Sequence, residues 1–403
     1  MNEAVRAQFP LLSRKIDGQA VVYLDSAATA LKPRSVLEAE RRYGEEFTAN
    51  IHRGRHALSE EASEHFEAAR RRVARFMGCA PACVVFVKNS TEGLNLVAAG
   101  LRLSKADGVL VYDSEHHSNL VPWMRSATAH IAPADPTRPY DLDATEDLLK
   151  QHRPKVFAFS LASNVTGVVQ PAQALCALAK KYGALSVVDG AQGVPHFGVN
   201  VEGVDCDFLV FSGHKLMSSS GVGVLYGKSE HLATLDPLCV GGGTVERVSL
   251  DGYTLKPPPG RFEAGTPAIG AVLSLSASLD FLDDLGFEVL QAHEERLASI
   301  FEEELSQAPA GTQVLLPKSP RRLAIASVAP RSDQVSADHL ALVLSDSNKM
   351  MVRSGFHCCQ PLFAALGRKF GAVRASAYVY TTEDEVRQYC QVLKALLAKT
   401  VRG

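Results

Sequence analysis

Three polar side chains, Asn164, Asp189 and Lys215, each come shortly after a run of apolar residues that is typical of a buried strand. Neighbouring members of this set are about 25 residues apart, an interval that fits a strand–helix–strand unit. In open α/β sheets, ligands bind outside the carboxyl ends of the strands. We therefore expect the three side chains to converge on one crevice.

A lysine at the mouth of such a sheet can form a Schiff base with an aldehyde cofactor, although most lysines that follow strands are solvated surface residues. Asp189 would pair with a pyridine nitrogen and keep it protonated, so that the ring can withdraw electrons. Asn164 and Gln192 could hydrogen-bond the phenolic oxygen of the same ring. The set therefore predicts pyridoxal 5'-phosphate (PLP) as the cofactor, with Lys215 as its covalent anchor.

A second candidate for chemistry is Cys358, in the segment that runs from Arg353 to Leu362. A cysteine on a loop next to His357 and near Arg353 has electropositive surroundings, which favour the thiolate. The alternative is that Cys358 is simply a buried small side chain, as many cysteines are.

The remaining cysteines read as reduced thiols of a cytosolic protein, mostly buried as small hydrophobic residues. Cys79 and Cys83 could begin a zinc site, but no second pair stands at zinc-ligand spacing. We therefore expect no metal.

Two stretches after other predicted strands contain further candidate ligands. Ser90 and Thr91 open a helix, where such residues usually act as caps, but a helix N-terminus is also a ready phosphate site. His116 and His117 could be a fragment of a metal site, but no third ligand lies at a supporting spacing. A flat imidazole stacked on the cofactor ring is the better interpretation.

The hydrophobic pattern predicts the elements that must position these residues. Strands are predicted at 21–25, 84–87, 108–112, 156–161, 184–188, 208–211, 222–226, 322–329 and 350–352. Helices are predicted at 32–47, 58–77, 90–100, 145–152, 171–182, 271–285, 287–307, 338–344 and 383–399. Residues 50–54 and the Pro- and Asp-rich stretch 130–143 are predicted to be loops.

Length and composition exclude several classes of protein. The 403 residues are too many for one simple domain and predict two large ones. A net charge of −2 argues against a nucleic-acid-binding protein, which would usually carry a basic domain. No apolar run approaches the ~20 residues that span a bilayer, and the first residues lack the pattern of a secretory signal. We therefore expect a cytoplasmic protein that does not enter the membrane.

Taken together, these motifs resemble the class V aminotransferase family of PLP enzymes, and most closely the cysteine desulfurases of the SufS/CsdA type. The resemblance runs from Tyr23 to the final helix. It implies an α/β chain of the PLP-dependent transferase fold type I, with a large domain on a mainly parallel seven-stranded sheet and a smaller α+β C-terminal domain. We place the large domain at 21–270 and the small domain at 1–20 and 271–403.

The resemblance implies roles that the patterns alone leave open. His116 would stack on the cofactor ring and take part in catalysis, and Cys358 would be the nucleophile. Arg374 would bind the substrate carboxylate through its two-pronged guanidinium, where the ordinary alternative is a surface ion pair. The remaining implied contacts are Ser90, Thr91, Ser212, His214 and Thr266 to the cofactor, with Thr266 reaching the phosphate of the partner subunit, and Ala28, His52, Asn164 and Arg353 to the substrate.

The chain departs from its relatives on both sides of the predicted site. Residues 216–220, Leu-Met-Ser-Ser-Ser, follow the lysine, where the relatives usually carry an aromatic residue, a glycine and a proline. In the cysteine segment, Phe356 replaces a polar residue and Cys359 replaces a small one. Cys359 could therefore resolve or relay sulfur that is held by its neighbour.

The activity that the resemblance implies is that of a homodimeric cysteine desulfurase. Such an enzyme converts L-cysteine to L-alanine, keeps the sulfur as a persulfide on Cys358 and passes it to an acceptor protein. The alternatives on the same fold are a selenocysteine lyase, a cysteine-sulfinate lyase or another C–S lyase. A scaffold that binds a sulfur carrier with little activity is disfavoured, because Lys215, Asp189 and Cys358 are all present.

Overall fold

The centre of the molecule is a seven-stranded sheet. The computed structural model describes residues 3–319, 321–330 and 336–400. In chain order, the strands of this sheet are β1 (Val84–Val87), β2 (Gly108–Tyr112), β3 (Thr128–Ala132), β4 (Val156–Ser160), β5 (Leu185–Asp189), β6 (Phe208–Ser212) and β7 (Gly223–Gly227).

The strands lie side by side in the order β1–β7–β6–β5–β4–β2–β3. Every neighbouring pair is parallel except the two pairs that contain β7, which runs antiparallel to β1 and β6. The predicted, mainly parallel seven-stranded sheet is thereby confirmed. Since β4, β5 and β6 are adjacent and parallel, their carboxyl ends meet at one edge of the sheet.

Both faces of the central strands are buried, which explains their nearly continuous apolar sequences. In β4, Phe157 and Phe159 belong to the hydrophobic core on one face of the sheet. Val156 and Ala158, which alternate with them, belong to the core on the other face. The period of two along the strand thus divides the apolar side chains between two layers.

Helices connect the strands and cover the sheet. The α-helices of the described residues are Glu3–Arg6, Arg34–Glu46, Ala57–Met77, Ser90–Gly100, Val121–Ser126, Leu142–His152, Ala172–Lys181, Gly193–Phe197, Val201–Val204, Ser229–Thr234, Ile269–Leu285, Phe287–Leu305, Ala337–Asn348, Gln360–Ala365 and Glu383–Thr400. Within the described part of the chain, none of them combines the length and the apolar character that crossing a membrane requires.

A second sheet of four strands follows in the C-terminal part of the chain. Its strands are β8 (Gln313–Leu315), β9 (Ile325–Ala329), β10 (Arg353–Gly355) and β11 (Ala372–Ser376), in the order β8–β9–β11–β10, all antiparallel. A separate hydrophobic core lies beneath it, in which Phe301 and Tyr389 pack with Val373 and Ala375 of β11.

Several short elements differ from the sequence-based expectation. The stretch 130–143 is not a loop throughout, because its first residues belong to β3, the edge strand beside β2. The strand expected at 21–25 is Val22–Tyr23, and it pairs in parallel with Met350–Met351 rather than with the large sheet. Leu24 accordingly packs in the core of the C-terminal part. A hairpin at 245–255 and the strands β10 and β11 have no counterpart in the prediction.

Candidate active site

A cavity of about 460 Å³ lies where β4, β5 and β6 end. Asp189 is the last residue of β5, and Lys215 ends the single helical turn that follows β6. The predicted site residues that line this cavity are Ala28, Ser90, Thr91, His116, Asn164, Asp189, Gln192, Ser212, His214, Lys215, Arg353, Cys358 and Arg374. The geometry therefore brings the two segments that the sequence singled out, around Lys215 and around Cys358, to one place.

Two predicted site residues do not line this cavity. His52 and Thr266 lie together at a second cavity of about 220 Å³. Asn50, from the same loop as His52, donates through Nδ2 to the hydroxyl of Thr266 at 3.3 Å. Within one subunit, these residues are thus assembled with one another and not with Lys215.

The lysine and the aspartate of the cavity are electrostatically coupled. Burial, aided by the positive charge of Arg374, lowers the pKa of Lys215 to about 8. The carboxylate of Asp189 opposes this shift. Burial also raises the pKa of Asp189, whose Oδ1 accepts a hydrogen bond from the backbone of Ala191 at 2.9 Å. A cation near this carboxylate would relieve the cost of burying it.

Two histidines at the cavity are neutral. The Nδ1 atom of His116 accepts a hydrogen bond from the backbone of Ser118 at 3.0 Å, so the proton lies on Nε2. Burial lowers the pKa of His116 to about 3, and the positive charge of Lys215 adds to this shift. Burial and Lys215 likewise lower the pKa of His214 to about 4. Both rings can therefore stack on or donate to a ligand without carrying a charge.

The N-terminus of the helix Ser90–Gly100 opens onto the same cavity. Its cap is Asn89, whose Oδ1 accepts from the backbone of Glu92 at 3.0 Å. Ser90 and Thr91 are therefore not the capping residues. The hydroxyl of Ser90 lies 2.8 Å from that of Ser212, at the end of β6. The backbone N–H groups and the partial positive charge of this helix end suit an anionic group.

Arg374 projects from β11 and is almost fully buried. Its Nη1 donates to the carbonyl of Asn164 at 2.9 Å, and its Nη2 lies 3.3 Å from the Asp25 carboxylate. Asp25 also accepts from Arg353, at 2.9 Å. The Nε of Arg374 is buried without a partner among the described residues. Because an unpaired buried donor is costly, this guanidinium is suited to take up an oxygen of a bound ligand.

The segment Gly355–Gln360, here called the cysteine loop, has an unusual backbone. His357 and Cys358 both have positive φ, at 49° and 58°. Each such residue costs on the order of 1–3 kcal/mol unless its surroundings fix it. The side chain of Cys358 is exposed at the cavity, whereas that of Cys359 is fully buried.

The surroundings of the two thiols correct part of the prediction. His357 is buried, its Nε2 lies 3.1 Å from the carbonyl of Ala372, and burial lowers its pKa well below the usual value. His357 is therefore neutral and supplies no positive charge to Cys358. Cys359 packs with Phe363 in a small apolar cluster and does not face solvent. Burial raises the pKa of the Cys359 thiol.

Sequence reasoning missed two carboxylates behind the cavity. Asp25, which joins both arginines, follows the short strand Val22–Tyr23, so the pattern that marks Asp189 could have marked it too. Glu115 is fully buried and accepts from the backbone of Ser160 at 2.9 Å, the hydroxyl of Tyr140 at 2.8 Å and the amide of Asn119 at 2.6 Å. It thereby ties the turn that carries His116 to the end of β4.

Comparison with known proteins identifies the family of this chain. The profile of the class-V aminotransferases matches residues 22–389. The chain belongs to the class-V aminotransferase family. The resemblance drawn from the motifs is thereby confirmed.

Relatives of this class-V aminotransferase cover it almost end to end. A probable cysteine desulfurase of Synechocystis is 39% identical in an alignment of 408 positions that covers 98% of this chain and 95% of the relative. A cysteine desulfurase of Serratia proteamaculans is 38% identical over 95% of both chains.

Two solved structures also resemble this chain over nearly its whole length. The cysteine desulfurase of Thermococcus onnurineus NA1 superposes with a TM-score of 0.91 at 37% identity over 98% of both chains. The cysteine desulfurase CsdA of Escherichia coli superposes with a TM-score of 0.87 at 34% identity, over 100% of this chain and 99% of CsdA.

Proposed function

We propose that this protein is a PLP-dependent cysteine desulfurase. The observation that carries the proposal is that Lys215 and Cys358, which lie far apart in the sequence, line one cavity together with Asp189 and Arg374. Lys215 is the group that a lysine-anchored cofactor requires, and Cys358 is the group that can accept sulfur as a thiolate.

The cavity fits PLP at each end. Its volume of about 460 Å³ lies within the usual range of small-molecule sites, roughly 300–1,000 Å³. The helix N-terminus at Ser90 suits the phosphate. The buried carboxylate of Asp189 suits a protonated ring nitrogen. Lys215 lines the cavity, and burial lowers its pKa to about 8, so its amine is available to the aldehyde.

The residues of the chain then divide the reaction L-cysteine + Cys358–SH → L-alanine + Cys358–S–SH between them. Bound PLP would supply an aldehyde for the amino group of the substrate and a ring that withdraws electrons from Cα. Lys215, with a pKa of about 8, moves protons near neutral pH. Arg374 holds the substrate carboxylate. The thiolate of Cys358 attacks the substrate sulfur, the C–S bond breaks, and its electron pair stays on the carbon that is then protonated.

The proposal has three further parts. His52 and Thr266 complete the site of a partner subunit, so that the active unit is a homodimer. An acceptor protein with its own thiol takes the sulfur from Cys358, which is exposed. The PLP-binding domain is placed at 21–270 and the smaller domain at 1–20 and 271–403, with two exceptions: Val22–Leu24 pack with the smaller domain, and the helix Ile269–Leu285 packs in the core of the large one.

The test is to incubate the purified protein with L-cysteine and to measure alanine, free sulfide and protein-bound persulfide by mass spectrometry. We expect one persulfide, on Cys358, per subunit in the first turnover. Borohydride should fix a pyridoxyl group on Lys215. Release of all sulfur without a persulfide would instead identify a C–S lyase, and faster turnover of selenocysteine would identify a selenocysteine lyase.

A further inference from the structure

Both peptide units that flank the Cα of Cys358 are held by donors from outside the cysteine loop. The Nδ2 atom of Asn164 donates to the carbonyl of His357 at 2.8 Å. The backbone nitrogen of His117 donates to the carbonyl of Cys358 at 2.7 Å. These are the carbonyls of the two loop residues other than glycine that have positive φ. The contacts therefore fix the part of the loop that has the least favourable backbone.

His117 makes a second contact with the same loop through its side chain. The backbone nitrogen of Gln360 donates to Nε2 of His117 at 3.1 Å. Gln360 begins the helix Gln360–Ala365, and Cys359 before it provides no side-chain cap. His117 thus supplies from another part of the fold the acceptor that a helix N-terminus needs.

We propose that His117 is a positioning residue that fixes Cys358 against the cofactor site by holding the cysteine loop at two points, the carbonyl of Cys358 and the backbone nitrogen of Gln360. The two adjacent histidines then have separate tasks. His116 lines the cavity, while His117 faces the loop. Ser118, whose backbone fixes His116, follows directly, so one turn orients both the ring and the loop. The proposal deepens the proposed function and rests on it for its kinetic consequence.

A metal-binding role for the histidine pair has no support in the fold. No group of three or more His, Cys, Asp or Glu side chains among the described residues is arranged to hold a metal ion. The Nε2 of His117 is already engaged as an acceptor. The geometry therefore favours a hydrogen-bonding role.

The experiment compares His117→Gln, which can keep an acceptor near the position of Nε2, with His117→Leu, which keeps bulk but has no acceptor. His130→Leu, a change at the edge strand β3, is the matched control. Hydrogen–deuterium exchange is followed at the amide of Gln360 in cofactor-free protein. Loss of one hydrogen bond should speed this exchange about tenfold in His117→Leu. We expect His117→Gln and His130→Leu to exchange like the unaltered protein.

The kinetic readout separates positioning from general damage. In His117→Leu, kcat for alanine formation from L-cysteine should fall about tenfold. The KM for L-cysteine and the exchange of the Cα proton of L-alanine should not change, because Arg374 and Lys215 are intact. Equal exchange at Gln360 in all variants, or equal acceleration in the Gln and Leu variants, would overturn the proposal. Failure of the unaltered protein to form a persulfide would overturn the proposed function instead, and the exchange data would still stand.

Discussion

The thiol sulfur of Cys359 lies 3.4 Å from the side-chain oxygen of Asn164, so the second of the two adjacent cysteines points into the protein. Cys358 is exposed, and Cys359 is not exposed at all. An acceptor that approaches from solvent can therefore meet only Cys358. A sulfur relay through Cys359 would require the cysteine loop to change its conformation so that Cys359 becomes exposed.

The two thiols should consequently differ in mutants. Cys358→Ala should bind PLP and exchange the Cα proton of L-alanine, since Lys215 and Arg374 are intact, yet form almost no alanine from L-cysteine and no persulfide. Cys359→Ala should keep most alanine formation and most sulfur transfer to a thiol acceptor. Mass spectrometry of the persulfide, with Cys176→Ala as a control for a remote buried thiol, checks both. If persulfide instead accumulates on Cys358 in Cys359→Ala, sulfur transfer depends on Cys359, and the relay hypothesis is supported.

The buried arginine should determine affinity for the substrate. In Arg374→Lys, the forked donor set is lost, so the KM for L-cysteine should rise about ten- to a hundredfold, as expected for charged hydrogen bonds of 1.5–3 kcal/mol. The visible spectrum of the bound cofactor should not change. Arg72→Lys is the matched control, because Arg72 is also buried and paired with acids but lies at a different cleft. An unchanged KM for L-cysteine would show that another residue binds the substrate carboxylate.

The lowered pKa of Lys215 predicts the pH dependence of its reactivity. Only the free amine is nucleophilic, so in cofactor-free protein its acetylation by acetic anhydride should rise with pH through a midpoint near 8 and then level off. A lysine at its ordinary pKa of about 10.4 would continue to gain reactivity. Asp189 raises the pKa of Lys215, so Asp189→Asn should move the midpoint to lower pH. Peptide mass spectrometry measures the rate, and a midpoint that rises in Asp189→Asn would contradict the coupling.

Complementation tests the shared site. Light scattering should give about twice the 43.3 kDa of one chain. Lys215→Ala cannot anchor PLP, and Thr266→Ala should bind it more weakly if Thr266 contacts the phosphate in the partner subunit. Mixed dimers of the two variants contain one complete site, so refolding them together should restore activity above the sum of the parts. Activity that merely adds would show that each site is built from a single chain.

Met217 combines a buried side chain with a backbone that suits glycine. Its φ is 63°, and it has no exposed surface. Removing the side chain should cost roughly 2–5 kcal/mol. The left-handed backbone costs about 1–2 kcal/mol, which only glycine relieves. Met217→Gly should therefore be less stable than the unaltered protein but more stable than Met217→Ala, the reverse of the usual order. Urea denaturation measures the stability of the unaltered protein and of both variants. If Met217→Ala is more stable than Met217→Gly, the backbone at this position is not strained.

The core of the fold and half of the site follow from local pattern. β4, β5 and β6 are apolar runs because both of their faces are buried, and the polar residues after them mark the carboxyl edge of the sheet. Asp189 and Lys215 lie where that rule predicts.

The rest depends on contacts that no local pattern contains. β3 is an edge strand with polar residues on it and a loop directly behind it, so its composition reads as loop. β11 carries Arg374 in its buried centre, which breaks the apolar pattern of a strand. The neutral state of His357 follows from burial that only the tertiary structure provides. The hydrogen bond between His117 and the cysteine loop likewise joins segments that are remote in sequence.

The ion pair between Asp25 and Arg374 spans 349 positions of the chain. Ala28, a few residues after Asp25, lines the same cavity as Arg374. A nascent chain emerges from the ribosome with its N-terminal residues first. The large sheet is complete once β7 has emerged, but the cavity still lacks Cys358 and Arg374 at that stage. The pocket can therefore be completed only after β11 has emerged, and a chain that stopped before β11 would contain Lys215 and Cys358 but not Arg374.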